Sequence, residues 1–277
     1  MSEEPKEGQK AQKPGGLFRL GSHRPSTETL ITTATLFVII VVWNEIARNE
    51  WLPRIFVPSP MDCINALWET STVGYHGKTI WAHNMYSLGR VMLGWVIACI
   101  VAIPLGYAMG LSSKVNAIFD YLIEFYRPLP PLAYYTLLVL WFGIGELSKV
   151  MLLFLSAIPP ITIGCSQAVR ELSPAVIQAA RSLGANSRQI FFKIILPGTT
   201  PEIITSIRIS LGFTYTVLVA AEIVAATKGI GWMVWDASKF LRSDLIFIGI
   251  IIMGLTGILL DAIIRIVGRY LLRWKHV

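Results

Sequence analysis

Among the charged side chains inside otherwise apolar stretches of this sequence are Arg127, Glu202, Arg208, Glu222 and Asp261. Charge at bilayer depth is costly, so each such group calls for a partner or a task. Arg127 sits beside Pro128, Pro130 and Pro131. Prolines free backbone carbonyls and kink a helix, which is tolerated only where protein or water lines the gap. Two readings follow. In one, Arg127 with Tyr126, Tyr134 and Tyr135 faces a water-lined path and attracts an anion. In the other, the helix is merely kinked and Arg127 pairs with Glu124 or Glu222. Glu222 lies among Ala220, Ala221, Ala225 and Ala226, small residues that let helices approach closely. It lines the same path or holds a bond across a bundle. Arg208 and Glu202 read as side chains that snorkel to an interface, and Asp261 as the partner of Arg265 four residues on.

Other chemistries lack their residues. No cluster of His, Cys or carboxylates has catalytic or metal-binding spacing. Cys63, Cys99 and Cys165 are scattered, an odd count with no short spacing, and read as small apolar residues rather than disulfide or metal partners. No glycine-rich loop ends in Gly-Lys-Ser/Thr, so the chain does not hydrolyse nucleotides through such a loop. The net charge of +7 suggests a polyanion partner, yet the basic residues sit between apolar blocks and form no long run with interleaved aromatics. Nucleic acid is therefore not an expected partner.

The elements that carry these charges are set by lipid. Hydrophobic residues make up 54% of the chain and charged ones 15%, with mean hydropathy +0.59. Soluble domains carry about 25% charged residues. Six apolar runs are long enough to read as spans, at about 29–47, 86–110, 117–142, 147–168, 201–227 and 244–267. The third is interrupted at Arg127–Pro131, and the fourth contains Pro159 and Pro160. With the N-terminus inside, fourteen Lys and Arg fall on the cytoplasmic side and eight on or near the other face, Arg90 and Lys149 among the eight. That asymmetry, with an even number of spans, places both termini in the cytoplasm. Residues 1–27, rich in Lys, Glu, Gln, Gly and Pro, read as a flexible cytoplasmic tail, and 28–277 as one membrane domain. The outer stretch 48–85 carries Trp51, Trp68, Tyr75 and Trp81, and part of it suits an interfacial helix.

The cytoplasmic loop at 170–200 holds the most specific pattern. Ser173 and Pro174 suit a helix start, Gly184 a left-handed stop, and a second short helix is expected from Ser187 to Ile195, ended by Leu196-Pro197. Ile190, Phe191, Ile194 and Ile195 form one helical stripe. Such a helix pair makes a compact knob for a groove on another protein.

Gln178-Ala179-Ala180, Gly184, Ile194, Leu196 and Pro197 match, spacing for spacing, the Glu-Ala-Ala loop of binding-protein-dependent transport permeases. The one departure is Gln178, where that family has an acid. Beyond the loop, Leu122–Leu132, Trp141–Glu146 and Val219–Gly231 resemble the nitrate, sulfonate and taurine branch, taurine permeases most. The resemblance implies an all-α integral membrane protein with the six-helix fold of a type I ABC importer permease, in a bacterial inner membrane. It implies a homodimer whose two loops dock two cytoplasmic ATPase subunits, which bind the ATP and Mg; the permease is non-catalytic and holds no cofactor. A periplasmic or lipid-anchored binding protein delivers solute, taurine or another alkanesulfonate, with nitrate or bicarbonate as the alternative. The coupling residues are then Gln178, Ala179, Ala180, Gly184, Ile194, Leu196 and Pro197, and Arg127, Tyr134 and Glu222 are candidates for the translocation path. Two guanidinium groups, one per subunit, suit an oxyanion because each planar fork donates two hydrogen bonds. A different class, an ion-coupled secondary transporter working alone, predicts uptake that follows ion gradients without an ATPase.

Overall fold

The computed structural model describes residues 27–272. The tail expected over 1–27 lies, but for Thr27, outside the described residues, as do Arg273 and Lys275. No strand occurs among the described residues; Tyr75 and Lys78 pair only as an isolated bridge. The elements are α1 (Thr27–Arg48), α2 (Pro60–Thr72), α3 (Ile80–Leu111), α4 (Ser113–Tyr126), α5 (Pro131–Phe142), α6 (Glu146–Arg170), α7 (Pro174–Ser182), α8 (Ser187–Ile190), a π-helical turn (Phe191–Ile195), α9 (Leu196–Ala225), α10 (Ile230–Lys239) and α11 (Ser243–Leu271).

Among the described residues, five helical stretches are long and apolar enough to cross a bilayer: Leu30–Arg48, Ile80–Leu111, Glu146–Arg170, Ser187–Ala225 and Ser243–Leu271. The run expected as the third span is instead two helices, α4 and α5, joined by residues 127–130. Pro128, Pro130 and Pro131 lack N–H donors, and each disfavours helical backbone in the residue before it. Pro130 is extended, with φ −64° and ψ 130°, and α5 starts afresh after it. The 12 residues of α5 reach about 18 Å, less than the roughly 30 Å of a hydrocarbon core.

A second difference concerns Leu196-Pro197, expected to end a short helix. The helix runs on through both, so that 187–225 form one stretch of 39 residues. The π-helical turn Phe191–Ile195 lies directly before Pro197. Its wider hydrogen-bond pattern relaxes the preceding turn, where a proline in a regular helix would meet a carbonyl four residues back. Pro159 and Pro160 likewise sit inside an unbroken α6.

The core forms where α3 meets α6. Gly94, Ala98, Ala102, Gly106 and Gly110 recur every fourth residue along α3 and form a flat ridge. Leu153, Ala157, Ile161, Cys165 and Val169 recur every fourth residue along α6, and most of both sets are buried. A Cβ added at Gly106 would lie 2.5 Å from the Cys165 Cβ, and one at Gly110 2.6 Å from the Val169 Cβ. Glycine is needed there because small residues let backbones approach where lipid offers no hydrophobic drive. Helix α9 lies antiparallel to α3: Trp95 donates to the Ser210 hydroxyl at 2.9 Å, and the Tyr107 and Thr199 hydroxyls meet at 2.8 Å. Arg208 and Arg265 both bind Asp261, at 2.9 and 3.1 Å, so the aspartate ties α9 to α11 as well as meeting its expected partner.

Helices α2 and α10 form a cap over one end of this bundle. The Ser59 hydroxyl and the Asp62 carboxylate accept from each other's backbone N–H, a capping box that starts α2. Cys63, Ala66 and Thr70 face inward, while Met61, Ile64 and Trp68 are exposed, which gives the two-sided helix expected in this stretch. Asp236 of α10 accepts from the Tyr75 hydroxyl at 2.9 Å and lies 3.1 Å from His76 Nε2 and 3.3 Å from Lys239 Nζ.

Candidate functional site

The turn between α6 and α9 is built by its own capping groups. Pro174 occupies the first turn of α7 after Ser173. At the other end Gly184 takes φ +83°, its N–H donates to the Arg181 carbonyl at 2.9 Å, and the Ala185 N–H donates to the Ala180 carbonyl at 3.0 Å. This pair of bonds closes the helix through a left-handed residue, which glycine adopts without Cβ strain. Asn186 and Gln189 then exchange side-chain and backbone bonds at 2.9 Å and start α8. The residues named by the motif divide by role in the fold. Gln178, Ala179 and Gly184 are exposed; Ala180, Ile194, Leu196 and Pro197 are partly buried. Ile177 and Ala180 of α7 rest partly buried against the core, as does Leu196 of α9, while Val176 and Leu183 face outward, Leu183 at 88% exposure.

At the opposite end of α6 and α9 lies an ion network in which Arg90, Lys149 and Glu222 are buried and Glu146 is half-exposed. Arg90, 4% exposed, forks onto Glu146 through Nε at 2.6 Å and a terminal nitrogen at 2.8 Å. Its other terminal nitrogen donates to Glu222 at 2.5 Å and to the Lys228 carbonyl at 2.8 Å. Glu222 is wholly buried and also accepts from the Ser87 hydroxyl at 2.7 Å and the Gly231 N–H at 2.8 Å. Lys149 completes the set, donating to Glu146 at 3.2 Å and to the Ala225 carbonyl at 3.1 Å. Two cations balance two carboxylates, and the start of α10 adds N–H donors where a helix favours negative charge. A Cβ at Gly229, which has φ +129°, would run into the Glu222 carboxylate, so glycine is required for this approach.

Arg90 and Lys149, counted from the sequence as charges at the outer face, are therefore buried partners of Glu222 and Glu146. The signal was present: Arg90 falls within the apolar run of α3, where an unpaired guanidinium would be costly.

Arg127 stands elsewhere, at the end of α4, and lines a cavity of about 370 Å³ together with Tyr134. Glu222 is not among the residues that line it. Arg127 forms no ion pair among the described residues, so the alternative pairing with Glu124 or Glu222 is absent; Arg90, Ser87 and Gly231 hold the Glu222 carboxylate.

A bundle of membrane-crossing helices, gripped by charge at one end and bearing a capped helical turn at the other, is a polytopic membrane protein. Comparison with known proteins places it further. Residues 78–274 match the family described as binding-protein-dependent transport system inner membrane component. The chain is 40% identical over 250 residues to the taurine transport system permease protein TauC of Escherichia coli K12, covering 90% of this chain and 91% of that protein. It is 32% identical over 252 residues to the bicarbonate transport system permease protein CmpB of Synechococcus elongatus, covering 88% and 90%. Its fold is similar to that in an inward-facing structure of the MetNI methionine ABC transporter, with TM-score 0.55 and 17% identity over 78% of this chain and 97% of that one. The chain belongs to the family of inner membrane components of binding-protein-dependent transport systems, and is a multi-pass inner-membrane protein.

Proposed function

We propose that this chain is the permease of an ATP-driven importer for taurine or a related alkanesulfonate. The observation that carries this is the 40% identity to a taurine permease over nine-tenths of both chains. Two copies form the path, and both termini and the turn at residues 170–200 face the cytoplasm. Each turn seats in a cleft of one of two ATPase subunits, which bind and hydrolyse ATP with Mg while the permease does no covalent chemistry. The footing of Ile177 and Ala180 on the core and the exposure of Gln178, Ala179 and Leu183 support that docking, because a transmitted push needs a footing and an accessible tip. A binding protein brings solute to the opposite face. Arg127 and Tyr134 border the path, and Glu222 belongs to the wall that closes its outer end.

Bicarbonate is the second reading, favoured by the similarity to CmpB over most of both chains. The test is uptake by proteoliposomes holding the permease, its ATPase and its binding protein, offered labelled taurine, nitrate and bicarbonate in turn. ATP-dependent accumulation of taurine is expected. Accumulation of bicarbonate or nitrate alone would transfer the assignment, and uptake driven by an ion gradient without the ATPase would overturn the importer itself.

A further inference from the structure

We propose that the cavity bordered by Arg127, Tyr126, Tyr134, Gln167 and Ser206 is a solute site within the permease, shaped for the sulfonate head of a small organic solute; this rests on the reading of the chain as a permease for taurine or a related alkanesulfonate. Four segments meet there: the end of α4 and its joint to α5, α5 itself, the proline-bearing middle of α6, and α9. The volume of about 370 Å³ lies near the lower end of small-molecule sites, roughly 300–1,000 Å³.

The Ser206 hydroxyl donates to the Glu202 carbonyl at 2.9 Å, whereas other polar groups of the lining are less fully matched within the fold. Arg127 supplies the cavity's one charge; no carboxylate lines it, and the guanidinium has no ion partner among the described residues. The Tyr126 hydroxyl is buried without a well-formed hydrogen bond among the described residues, with the Tyr134 ring 5.2 Å away. A buried hydroxyl left unmet is unfavourable, and an incoming acceptor removes that cost. The Gln167 side chain makes no hydrogen bond among the described residues and is exposed toward the same space. Guanidinium, phenol and amide together offer donors to an oxyanion, whose charge strengthens each bond. Pro159, Pro160, Ile163 and Phe213 form the apolar part of the wall, suited to a short carbon body.

Two other open or charged places in the bundle lack this chemistry. The larger cavity between α9 and α11, about 850 Å³, is lined by residues such as Val219, Ile223, Ile250 and Met253 and by no charged side chain. The Arg90 network is charge-balanced and filled by its own groups. The cavity at Arg127 thus carries a positive charge that the fold itself leaves uncompensated. Solute would be selected here a second time, after the binding protein has released it.

The test is equilibrium dialysis of labelled taurine against the permease–ATPase complex in phosphatidylcholine nanodiscs, without the binding protein. Saturable binding is expected, displaced by ethanesulfonate and not by ethanolamine, which lacks the acid. Arg127→Ala should weaken it about tenfold or more, with Arg127→Lys between, because lysine keeps the charge but loses the fork. Tyr126→Phe removes only the unmet hydroxyl, retains the ring and should still weaken binding several-fold, which a packing role would not produce; it keeps the test decisive if Arg127→Ala fails to assemble. No saturable binding, or binding unchanged in Arg127→Ala and Tyr126→Phe, overturns the proposal. So does loss of taurine binding on adding phosphatidylglycerol, which would assign the site to a lipid headgroup. Failure of the importer reading looks different: the complete importer with its binding protein would then accumulate no taurine, whereas failure of this site alone leaves that uptake intact.

Discussion

Charged residues inside the membrane domain have two kinds of surroundings, and the difference decides what a substitution does. Arg90 donates to two carboxylates and a carbonyl with almost no exposure, so removing it strands the wholly buried Glu222, while the half-exposed Glu146 keeps Lys149. Breaking a buried pair from one side costs about 3–5 kcal/mol. Arg90→Ala is accordingly expected to lower the thermal midpoint of the purified protein sharply. Arg90→Lys should fall between, since an ammonium cannot hold the fork to Glu146 and reach Glu222 together. Glu222→Gln should cost least of the three, because an amide retains an acceptor for Ser87 and the Gly231 N–H. An Arg90→Ala protein that melts with the wild type would show the network to be slack. From the sequence, the small residues around Glu222 indicated close packing, and its alternative role as a bond across the bundle was open. Its partner was not legible, because Arg90 and Glu222 are separated by 132 positions and only the fold brings them together.

At the scale of elements, spans with unbroken apolar runs were legible to within a few residues, as for α1, α6 and α11. Proline decided the rest, and its effect depended on neighbours that a linear pattern does not display. At 127–131 three prolines within four positions stop the helix, whereas Pro197 is absorbed by the π-helical turn before it. The α2–α10 cap was legible only as an interfacial helix; its tie to α10 through Tyr75 and Asp236 joins residues far apart in the chain. That tie should depend on pH at both extremes. Burial raises the Asp236 carboxyl but the Tyr75 hydroxyl and Lys239 outweigh it, so the group sits below its ordinary value. A depressed carboxyl stabilises the folded cap above the unfolded value, about 4, and that contribution is lost as pH falls through the lower folded value. Tyr75 is pushed up to about 12 by burial and by its bond to Asp236. A raised phenol stabilises below the unfolded value, about 10, and loses that effect as pH rises toward the folded one. Amide exchange across α10 should therefore be slow and flat between about pH 4 and 10, after correction for intrinsic rates, and accelerate beyond either limit. An opening centred near neutrality would remove control of the cap from the Tyr75–Asp236 bond.

Across the whole molecule, the capped turn and the ion network occupy opposite ends of the same two helices. Helix α6 leads from Glu146 to the turn, and the stretch 187–225 leads back from it to Glu222, a rod of about 58 Å at the rise of an α-helix. A displacement of the turn is therefore carried along continuous helix to the place where Arg90 grips both returning ends. Gly184 tests whether the turn works as that handle. A Cβ there meets nothing within 4 Å, so a larger residue brings no clash; the penalty is confined to the backbone, whose φ of +83° costs a non-glycine residue about 1–2 kcal/mol. Because the turn lies outside the buried core, Gly184→Val should leave the thermal midpoint of the isolated permease nearly unchanged. The two bonds from Gly184 and Ala185 that close α7 would be weakened, and the exposed tip at Leu183 would lose its fixed direction. In proteoliposomes with the ATPase and binding protein, solute accumulation should then fall several-fold while the protein remains folded. Uptake equal to wild type, with a demonstrably altered turn by amide exchange at 180–186, would mean that force enters the bundle somewhere other than this turn.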